Sequence, residues 1–274
     1  MRFGIEEEDF SENSHWGMIV AELIVHMLWV TGSLSKIEKI SVNSFVSKGY
    51  RTLLWSYGGL DNAPPGAEVR DAREVLPENR LFRGKSGSLA QFSDLFRYAV
   101  LNSQGGLWAD ADVVALSAPS ALGAVPFLVT ERDQASLLKK MAKKALRRPD
   151  GRIVSNNVIY NPVPAAGNIV DLAFGYASSF PKEKIVWGEL GPRLISAIES
   201  IYPDHGFKVH PPGFANPVDW WRCPQDLLRS PAESVAGASF LHLYNETWRR
   251  AGVDKNANFP RNSLMHDLAD EFLY

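Results

Sequence analysis

Short apolar runs alternate with helical patterns over the first 116 residues of the chain. The runs cover 24–30, 51–57 and 107–116. One helical pattern opens at Ser33 or Ser35 and ends at Gly49, and a second covers 86–106. Continuous apolar runs are typical of strands buried on both faces of a parallel sheet. The alternation therefore predicts an α/β fold with a Rossmann-like, mostly parallel sheet flanked by helices.

The second half of the chain is less regular. We predict a helix over 134–147, a strand over 154–160, a helix over 191–201 and a last strand over 238–244. No linker interrupts this pattern, so we predict a single domain over 24–260, divided into halves of 24–116 and 117–260. Residues 1–23 are predicted to be an N-terminal leader, and 261–274 a C-terminal tail.

Charge and cysteine content narrow the partners and the compartment. The formal net charge is −2 over 274 residues, which gives no global attraction to nucleic acid. Cys223 is the single cysteine, so no intrachain disulfide can form and nothing requires an oxidising compartment. The apolar stretch 17–30 is too short to span a bilayer and contains Glu22 and His26. We therefore predict a cytoplasmic protein without a nucleic-acid partner.

One predicted helix is strongly basic. The segment from Lys139 to Arg148 carries six lysines and arginines. Such a run is usually a solvated surface. The alternative is a peripheral contact at the inner membrane face, where it would meet an anionic or lipid-linked substrate.

Asp110 and Asp112 interrupt the third apolar run. Because side chains alternate faces in a strand, the two carboxylates are predicted to point the same way. Two buried carboxylates side by side are costly unless a cation neutralises them. Hard oxygen ligands favour Mg²⁺ or Mn²⁺, and open α/β folds bind ligands at the carboxyl edge of the sheet. The pair therefore predicts a metal site, with simple capping of a loop as the alternative.

The residues around this pair resemble one family. The matching segments read Ser93-Asp94-Leu95-Phe96-Arg97-Tyr98 and Gly105-Gly106-Leu107-Trp108-Ala109-Asp110-Ala111-Asp112. They are similar to the Asp-x-Asp sugar transferases of the GT-A fold, whose pattern is Ser-Asp, an Arg three residues later, Gly-Gly, an aromatic residue and Asp-x-Asp. That group includes bacterial capsule and lipopolysaccharide sugar transferases, α-1,4-galactosyl and initiating mannosyl transferases, and clostridial glucosylating toxins. Trp108 stands where Tyr is commoner.

Other segments extend the resemblance from about residue 24 to 249. They are His26–Gly32, Arg70-Asp71-Ala72, Asn156-Asn157, Gly191-Pro192 and His242–Trp248. In the last of these, Thr247 stands where Ser is commoner. The resemblance implies a GT-A fold with a donor half at 24–116 and an acceptor half at 117–260.

The resemblance also implies an activity. It implies transfer of a hexose from a nucleotide sugar, with UDP favoured, to a glycan or lipid-linked acceptor in polysaccharide biosynthesis. Retention of anomeric configuration and a Mn²⁺ or Mg²⁺ cofactor are implied as well.

Site residues follow from the same resemblance. The implied catalytic residues are Asp94, Arg97, Asp110 and Asp112, and the implied metal ligands are Asp110, Asp112 and His242. Donor contacts are implied for Trp29, which would stack on uracil, and for Val30, Asp94, Arg97, Trp108, Asp110, Ala111, Asn157, Thr247 and Trp248. Which of His242, Asn245 or Thr247 completes the metal and diphosphate site stays open, and Asn156 is an alternative to Asn157.

Other functions stay open at this point. A nucleotide-sugar-binding protein without transfer activity would keep the same residues. A phosphatase or hydrolase could also use the Asp-x-Asp pair, although the dehalogenase-type motif continues with Gly-Thr and here Val113-Val114 follows. The donor sugar, the acceptor, the linkage and the oligomeric state are not fixed by the sequence.

Overall fold

A computed structural model describes residues 23–84, 87–134, 153–182, 185–186 and 188–274 of the chain. The strands are β1 (Ile24–Leu28), β2 (Arg51–Ser56), β3 (Glu68–Asp71), β4 (Gly106–Ala109), β5 (Val113–Ala115), β6 (Phe127–Glu131), β7 (Ile153–Asn161), β8 (Lys208–His210) and β9 (Phe240–His242). The helices are α1 (Lys36–Ser47), α2 (Ala90–Gln104), α3 (Ile169–Ser179), α4 (Pro192–Ile201), α5 (Asn245–Ala251) and α6 (Leu264–Phe272).

The main sheet is mostly parallel. Seven strands lie in the order β3-β2-β1-β4-β7-β6-β8. β1 pairs in parallel with β2 and β4, β2 with β3, and β6 with β8. Only β7 runs against its neighbours β4 and β6. The predicted single-domain α/β fold with a mostly parallel sheet flanked by helices is therefore confirmed.

Local sequence explains where the first helix begins and ends. The backbone N–H of Ser35 donates to the Glu38 carboxylate at 2.7 Å, which is half of a capping box at the start of α1. Gly49 follows the helix with φ of +87°, a conformation that glycine adopts without steric cost. Ile37, Ile40 and Phe45 are fully buried, so one face of α1 packs into the core.

The third apolar run is not one strand, which corrects the prediction over 107–116. β4 ends at Ala109, and the N–H of Val113 then donates to the carbonyl of Asp110 at 2.9 Å, closing a tight turn. β5 leaves the main sheet and pairs with β9 in a separate two-stranded antiparallel sheet. Asp110 and Asp112 therefore lie in the turn between two sheets and not in the interior of one strand.

The prediction of a C-terminal tail over 261–274 is also corrected, because Leu264–Phe272 is a helix that packs into the core. Ser263 caps α6 by accepting the N–H of His266 at 3.2 Å. Leu264, Met265 and Phe272 are buried in a hydrophobic cluster that also contains Ile37 of α1. This apolar spacing is helical, so the sequence carried the signal.

Two other predictions fall outside the described residues. They are the leader over 1–23, of which only Leu23 is described, and the basic helix over 134–147, of which only Gln134 is described. Within the described ranges, no helix is both long enough and apolar enough to cross a bilayer.

Candidate metal and nucleotide-sugar site

Three potential ligands converge where the two sheets meet. Asp110, Asp112 and His242 each offer one ligand atom, and these atoms all lie within 4.8 Å of one another. Strand pairing explains part of this convergence, because Val113 lies opposite His242 in the small sheet. The aspartates were predicted to converge by alternation along one strand, whereas in the structure a turn and a second sheet bring the three groups together.

Asp112 is held by two groups from the C-terminal part of the chain. One carboxylate oxygen accepts the backbone N–H of Asn245 at 2.6 Å, and the other lies 3.4 Å from His242 Nε2. Burial alone would raise the pKa of Asp112, but His242 and the Asn245 amide outweigh it and hold that pKa below its ordinary range. Conversely, burial alone would lower the pKa of His242, and Asp112 raises it.

Tyr244 shapes the segment that supplies these two groups. Its φ of 53° and ψ of 64° are left-handed, which is strained for a bulky side chain and costs roughly 1–2 kcal/mol. Its ring lies 3.9 Å from the His242 ring, and its hydroxyl donates to Asn216 at 3.3 Å. The left-handed turn brings both the His242 ring and the Asn245 N–H onto Asp112.

The side chain of Asp110 is more exposed than that of Asp112, and one of its two carboxylate oxygens already has partners. Its Oδ1 accepts from Trp108 Nε1 at 2.8 Å and lies 3.0 Å from an Arg97 guanidinium nitrogen. Burial, together with the neighbouring Asp112, raises the pKa of this carboxyl to about 6 against the opposing effect of Arg97. Among the described residues, none donates a hydrogen bond to Oδ2 of Asp110, so this oxygen remains available.

The geometry fits a divalent cation. Two ligand atoms at right angles on one cation with bonds of about 2.1 Å lie roughly 3 Å apart, close to the 3.4 Å between His242 Nε2 and Asp112. Two carboxylates and an imidazole are ligands that Mn²⁺ accepts. Arg97 lies 3.0 Å from one oxygen of Asp110, and the other oxygen has no donor among the described residues.

Arg97 joins the predicted sugar-binding residues to the metal ligands. The same guanidinium nitrogen lies 3.2 Å from Asp94 and 3.0 Å from Asp110. Its planar group stacks 5.1 Å from the Trp108 ring centroid, and it also donates to the carbonyl of Asn156. Arg97 is therefore a buried bridge between two carboxylates.

Asp94 is surrounded by two other segments of the resemblance. Asn156 donates to it at 2.8 Å. A Cβ added at Gly191 would lie 3.0 Å from its carboxylate, so any larger residue would push this carboxylate away. Burial raises the pKa of Asp94, against the effects of Arg97 and Asn156. The Gly191-Pro192 pair, which begins α4, thus lies against the predicted sugar-binding carboxylate.

Asn157 is buried in a different network. Its side chain accepts from Ser155 at 2.6 Å and donates to Asn216 at 3.0 Å, and its carbonyl accepts the N–H of Asp110 at 2.9 Å. Asn216 also accepts from Tyr244. Asn157 therefore anchors the Asp110 turn to the Tyr244 segment in the structure, while a direct sugar contact stays a prediction.

Trp29 and Val30 follow β1 at the carboxyl edge of the sheet. The half-buried Trp29 ring has the ammonium of Lys255 5.8 Å from its centroid. Lys255 also pairs at 2.6 Å with Glu38, which is fully buried and accepts from the side chain of Asn245 at 2.6 Å. Trp29 and the segment His242–Asn245, which we call the metal segment, are thus connected through one buried carboxylate.

Other predicted donor contacts lie deeper or have local roles. Trp108 and Trp248 are fully buried. Thr247 donates to the carbonyl of Tyr244 at 2.7 Å, within the first turn of α5. Ala111 lies buried between the two aspartates. The structure brings together Asp94, Arg97, Trp108, Asp110, Asp112 and His242, and their donor contacts remain predictions.

Sequence reasoning missed Glu131, Asn216, Tyr244 and Lys255. Glu131 ends β6, and its carboxylate acts electrostatically on His242 while burial raises its own pKa. No segment of the resemblance contains Glu131, Asn216 or Lys255, and none implies a role for Tyr244. The fold brings these side chains to the site.

Comparison with known proteins gives limited similarity. No family model matches the chain, and no curated protein matches it. Solved structures do match. The PaToxG glycosyltransferase is 19% identical with a TM-score of 0.43, over 67% of this chain and 69% of that one.

Two further solved structures are longer than this chain. The apo form of the glycosyltransferase GlyE from Streptococcus pneumoniae TIGR4 is 12% identical with a TM-score of 0.43, over 92% of this chain and 60% of that one. The apo structure of the bifunctional glycosyltransferase WbbM is 10% identical with a TM-score of 0.42, over 93% and 53%. The chain thus spans less than two thirds of GlyE and WbbM. At these TM-scores the likeness assigns no activity.

Proposed function

We propose that the protein is a metal-dependent glycosyltransferase that moves a hexose from a nucleotide sugar to a glycan or lipid-linked acceptor with retention. The observation that carries the proposal is the convergence of Asp110, Asp112 and His242 within 4.8 Å. UDP is the favoured nucleotide, and Mn²⁺ or Mg²⁺ the favoured ion. The resemblance of the Ser93–Asp112 segment supports the same reaction class.

The metal ligands would be Asp110, Asp112 and His242. A divalent cation bound there supplies Lewis-acid neutralisation of the diphosphate as the bond between sugar and phosphate breaks. Asp112 and His242 are already oriented by Asn245 and Tyr244, so little reorganisation is needed when the site fills.

Arg97 and Asp94 have complementary tasks in this proposal. Asp94 accepts hydroxyls of the donor sugar, and Arg97 fixes Asp94 and Asp110 relative to each other through its 3.2 Å and 3.0 Å contacts. Trp29 offers a ring for the nucleobase at the end of β1, with Val30 beside it. Thr247 and Trp248 fix the first turn of α5, which follows the metal segment.

A glycosidase is disfavoured by the same geometry. Hydrolysis of a glycosidic bond needs two carboxylates on opposite sides of the bond, roughly 5 to 9 Å apart. The ligand atoms of Asp110 and Asp112 lie within 4.8 Å of each other. The alternative that the same geometry allows is a nucleotide-sugar-binding protein without transfer activity.

The test combines binding and turnover. Thermal shift is measured with UDP-glucose, UDP-galactose, UDP-N-acetylglucosamine and GDP-mannose, each with Mn²⁺ or with EDTA, and release of the nucleoside diphosphate is followed by coupled assay. We expect Mn²⁺-dependent stabilisation by at least one UDP sugar, slow release of UDP, and loss of both in Asp112→Asn. The matched control is Asp204→Asn, in an exposed turn. Stabilisation without nucleotide release would identify a binding protein, and equal activity with EDTA would refute the metal site.

A further inference from the structure

Two tryptophans lie close behind Asn216 in the chain, and one of them is exposed. Trp220 and Trp221 begin a short 3-10 helix, Trp220–Arg222, and their rings are 5.6 Å apart at 87°. Trp220 is 36% exposed, whereas Trp55, Trp108 and Trp248 are at most 1% exposed. Exposed tryptophan is unusual, because burial of this side chain is strongly favourable. Two perpendicular rings therefore form a rigid aromatic corner at the surface.

The aromatic corner is tied to the metal segment. Arg132 donates to Asp219 at 2.9 Å and to the carbonyl of Pro217 at 3.2 Å, which fixes the turn just before Trp220. In the same turn, Asn216 accepts from the hydroxyl of Tyr244, whose ring lies on His242. The aromatic corner is thus connected to the metal segment through two side chains.

One carboxylate adjoins Arg132 in the chain and acts electrostatically on the metal segment. Glu131 directly precedes Arg132 and is half-buried at the end of β6. Its charge acts on both His242 and Tyr244. In the described part of the chain, no hydrogen bond or ion pair engages this carboxylate. It is therefore free to accept a hydroxyl group from a ligand.

The charges around the corner favour a neutral ligand. Arg132 pairs with Asp219 at 2.9 Å, and Arg222 pairs with Asp226 at 2.6 Å. Since both guanidinium groups already have carboxylate partners, they offer little to a phosphate or a carboxylate of a ligand. A neutral sugar ring needs an aromatic face for its C–H groups and an acceptor for its hydroxyls.

We propose that Glu131, Trp220 and Trp221 form the acceptor subsite and that it takes a neutral pyranose of a glycan. The tryptophans stack on the apolar face of the ring, and the Glu131 carboxylate accepts a hydroxyl. This assignment rests on the proposed glycosyltransferase function and adds the class of acceptor to it.

The test compares glycan binding with nucleotide binding. The wild type, Trp220→Ala, Trp220→Phe and Glu131→Gln are applied to an array of neutral oligosaccharides in the presence of Mn²⁺ and UDP. Dissociation constants for a bound oligosaccharide and for UDP are then measured by calorimetry. We expect Trp220→Ala to weaken the oligosaccharide at least tenfold and more than it weakens UDP, with Trp220→Phe recovering most of the affinity. Tyr202→Ala, which removes an aromatic side chain 52% exposed at the end of α4, is the matched control.

The outcomes separate this proposal from the one before it. If no neutral oligosaccharide binds, or if Trp220→Ala and Tyr202→Ala bind alike, the acceptor subsite is wrong. If the wild type binds no UDP with Mn²⁺, the glycosyltransferase function fails first. Circular dichroism and thermal unfolding of each variant show whether a loss of binding reflects misfolding, and Glu131→Gln, which keeps the shape of the side chain, tests the subsite if an alanine variant unfolds.

Discussion

Replacing Asp110 with Asn should make the metal-free protein more stable while weakening its metal binding. The carboxylate lies between Arg97 and Asp112 in a buried setting that opposes its charge. Its pKa is raised from 3.8 to about 6 in the folded protein. A raised carboxyl pKa means that folding stability is present below the unfolded value and is lost as pH rises between about 4 and 6.

The size of this effect follows from the pKa. A rise from 3.8 to about 6 corresponds to about 3 kcal/mol at pH 7, at 1.36 kcal/mol per pH unit. Asn removes the charge and keeps an oxygen that can accept from Trp108 and Arg97. We therefore expect a gain of up to about 3 kcal/mol, which is roughly 6–12 °C in melting temperature for a chain of this size.

Chemical unfolding in EDTA, followed by circular dichroism at pH 7 and pH 4, measures the gain directly. The difference between variant and wild type should shrink toward pH 4, where Asp110 is protonated. In parallel, Mn²⁺ affinity at pH 7 should fall at least tenfold in the variant, and Asp204→Asn should change neither quantity. A variant that is destabilised in EDTA at pH 7, or that keeps its Mn²⁺ affinity, would refute the reasoning.

Three further predictions concern the pH dependence of metal binding, a glycine in β4 and a buried ion pair. Mn²⁺ affinity of the wild type should fall at least about tenfold from pH 7 to pH 5, because Asp110, with a pKa of about 6, and His242, whose pKa is raised, must both lose a proton to bind, and calorimetry that shows no pH dependence would contradict this. Gly106→Ala should cost about 3 kcal/mol in chemical unfolding, because φ is +95° and a Cβ would lie 2.9 Å from the carbonyl of Ile24. Gly59→Ala, at φ of +74° with open space around it, should cost only about 1 kcal/mol, and equal costs would count against a steric cause. Lys255→Met should cost about 3 kcal/mol by leaving the buried Glu38 without its cation, and Lys255→Arg should restore most of the loss.

Much of the fold follows from local sequence. The apolar run that forms β1, the capping residues of α1 and the glycines after α2 each fix an element without help from distant contacts. The direction of β7 does not follow from local sequence, because the apolar pattern of a strand is the same in either direction. Its pairing with neighbouring strands decides that direction. The helix from Leu264 was missed although Ser263 and the apolar spacing indicate it, because it follows a stretch rich in turn-forming residues.

The site was predictable only in part. Asp110 and Asp112 stand in a short motif, and His242 was identified from the resemblance. The hydrogen bond from the Asn245 N–H to Asp112 depends on the left-handed conformation of Tyr244, which its side chain disfavours and no local pattern predicts. Long-range contacts of this kind are set by the packing of whole strands. The sequence therefore indicates the candidate ligands better than the residues that position them.

The candidate metal ligands come from distant parts of the chain, and this has a consequence for the synthesis of the protein itself. A growing chain that has emerged up to residue 239 carries both aspartates, yet it lacks the imidazole of His242 and the Asn245 amide. In the proposed assignment of the ligands, capture of a cation waits until β9 is made and has paired with β5. If the proposed function is right, incomplete translation products would then lack the complete set of metal ligands.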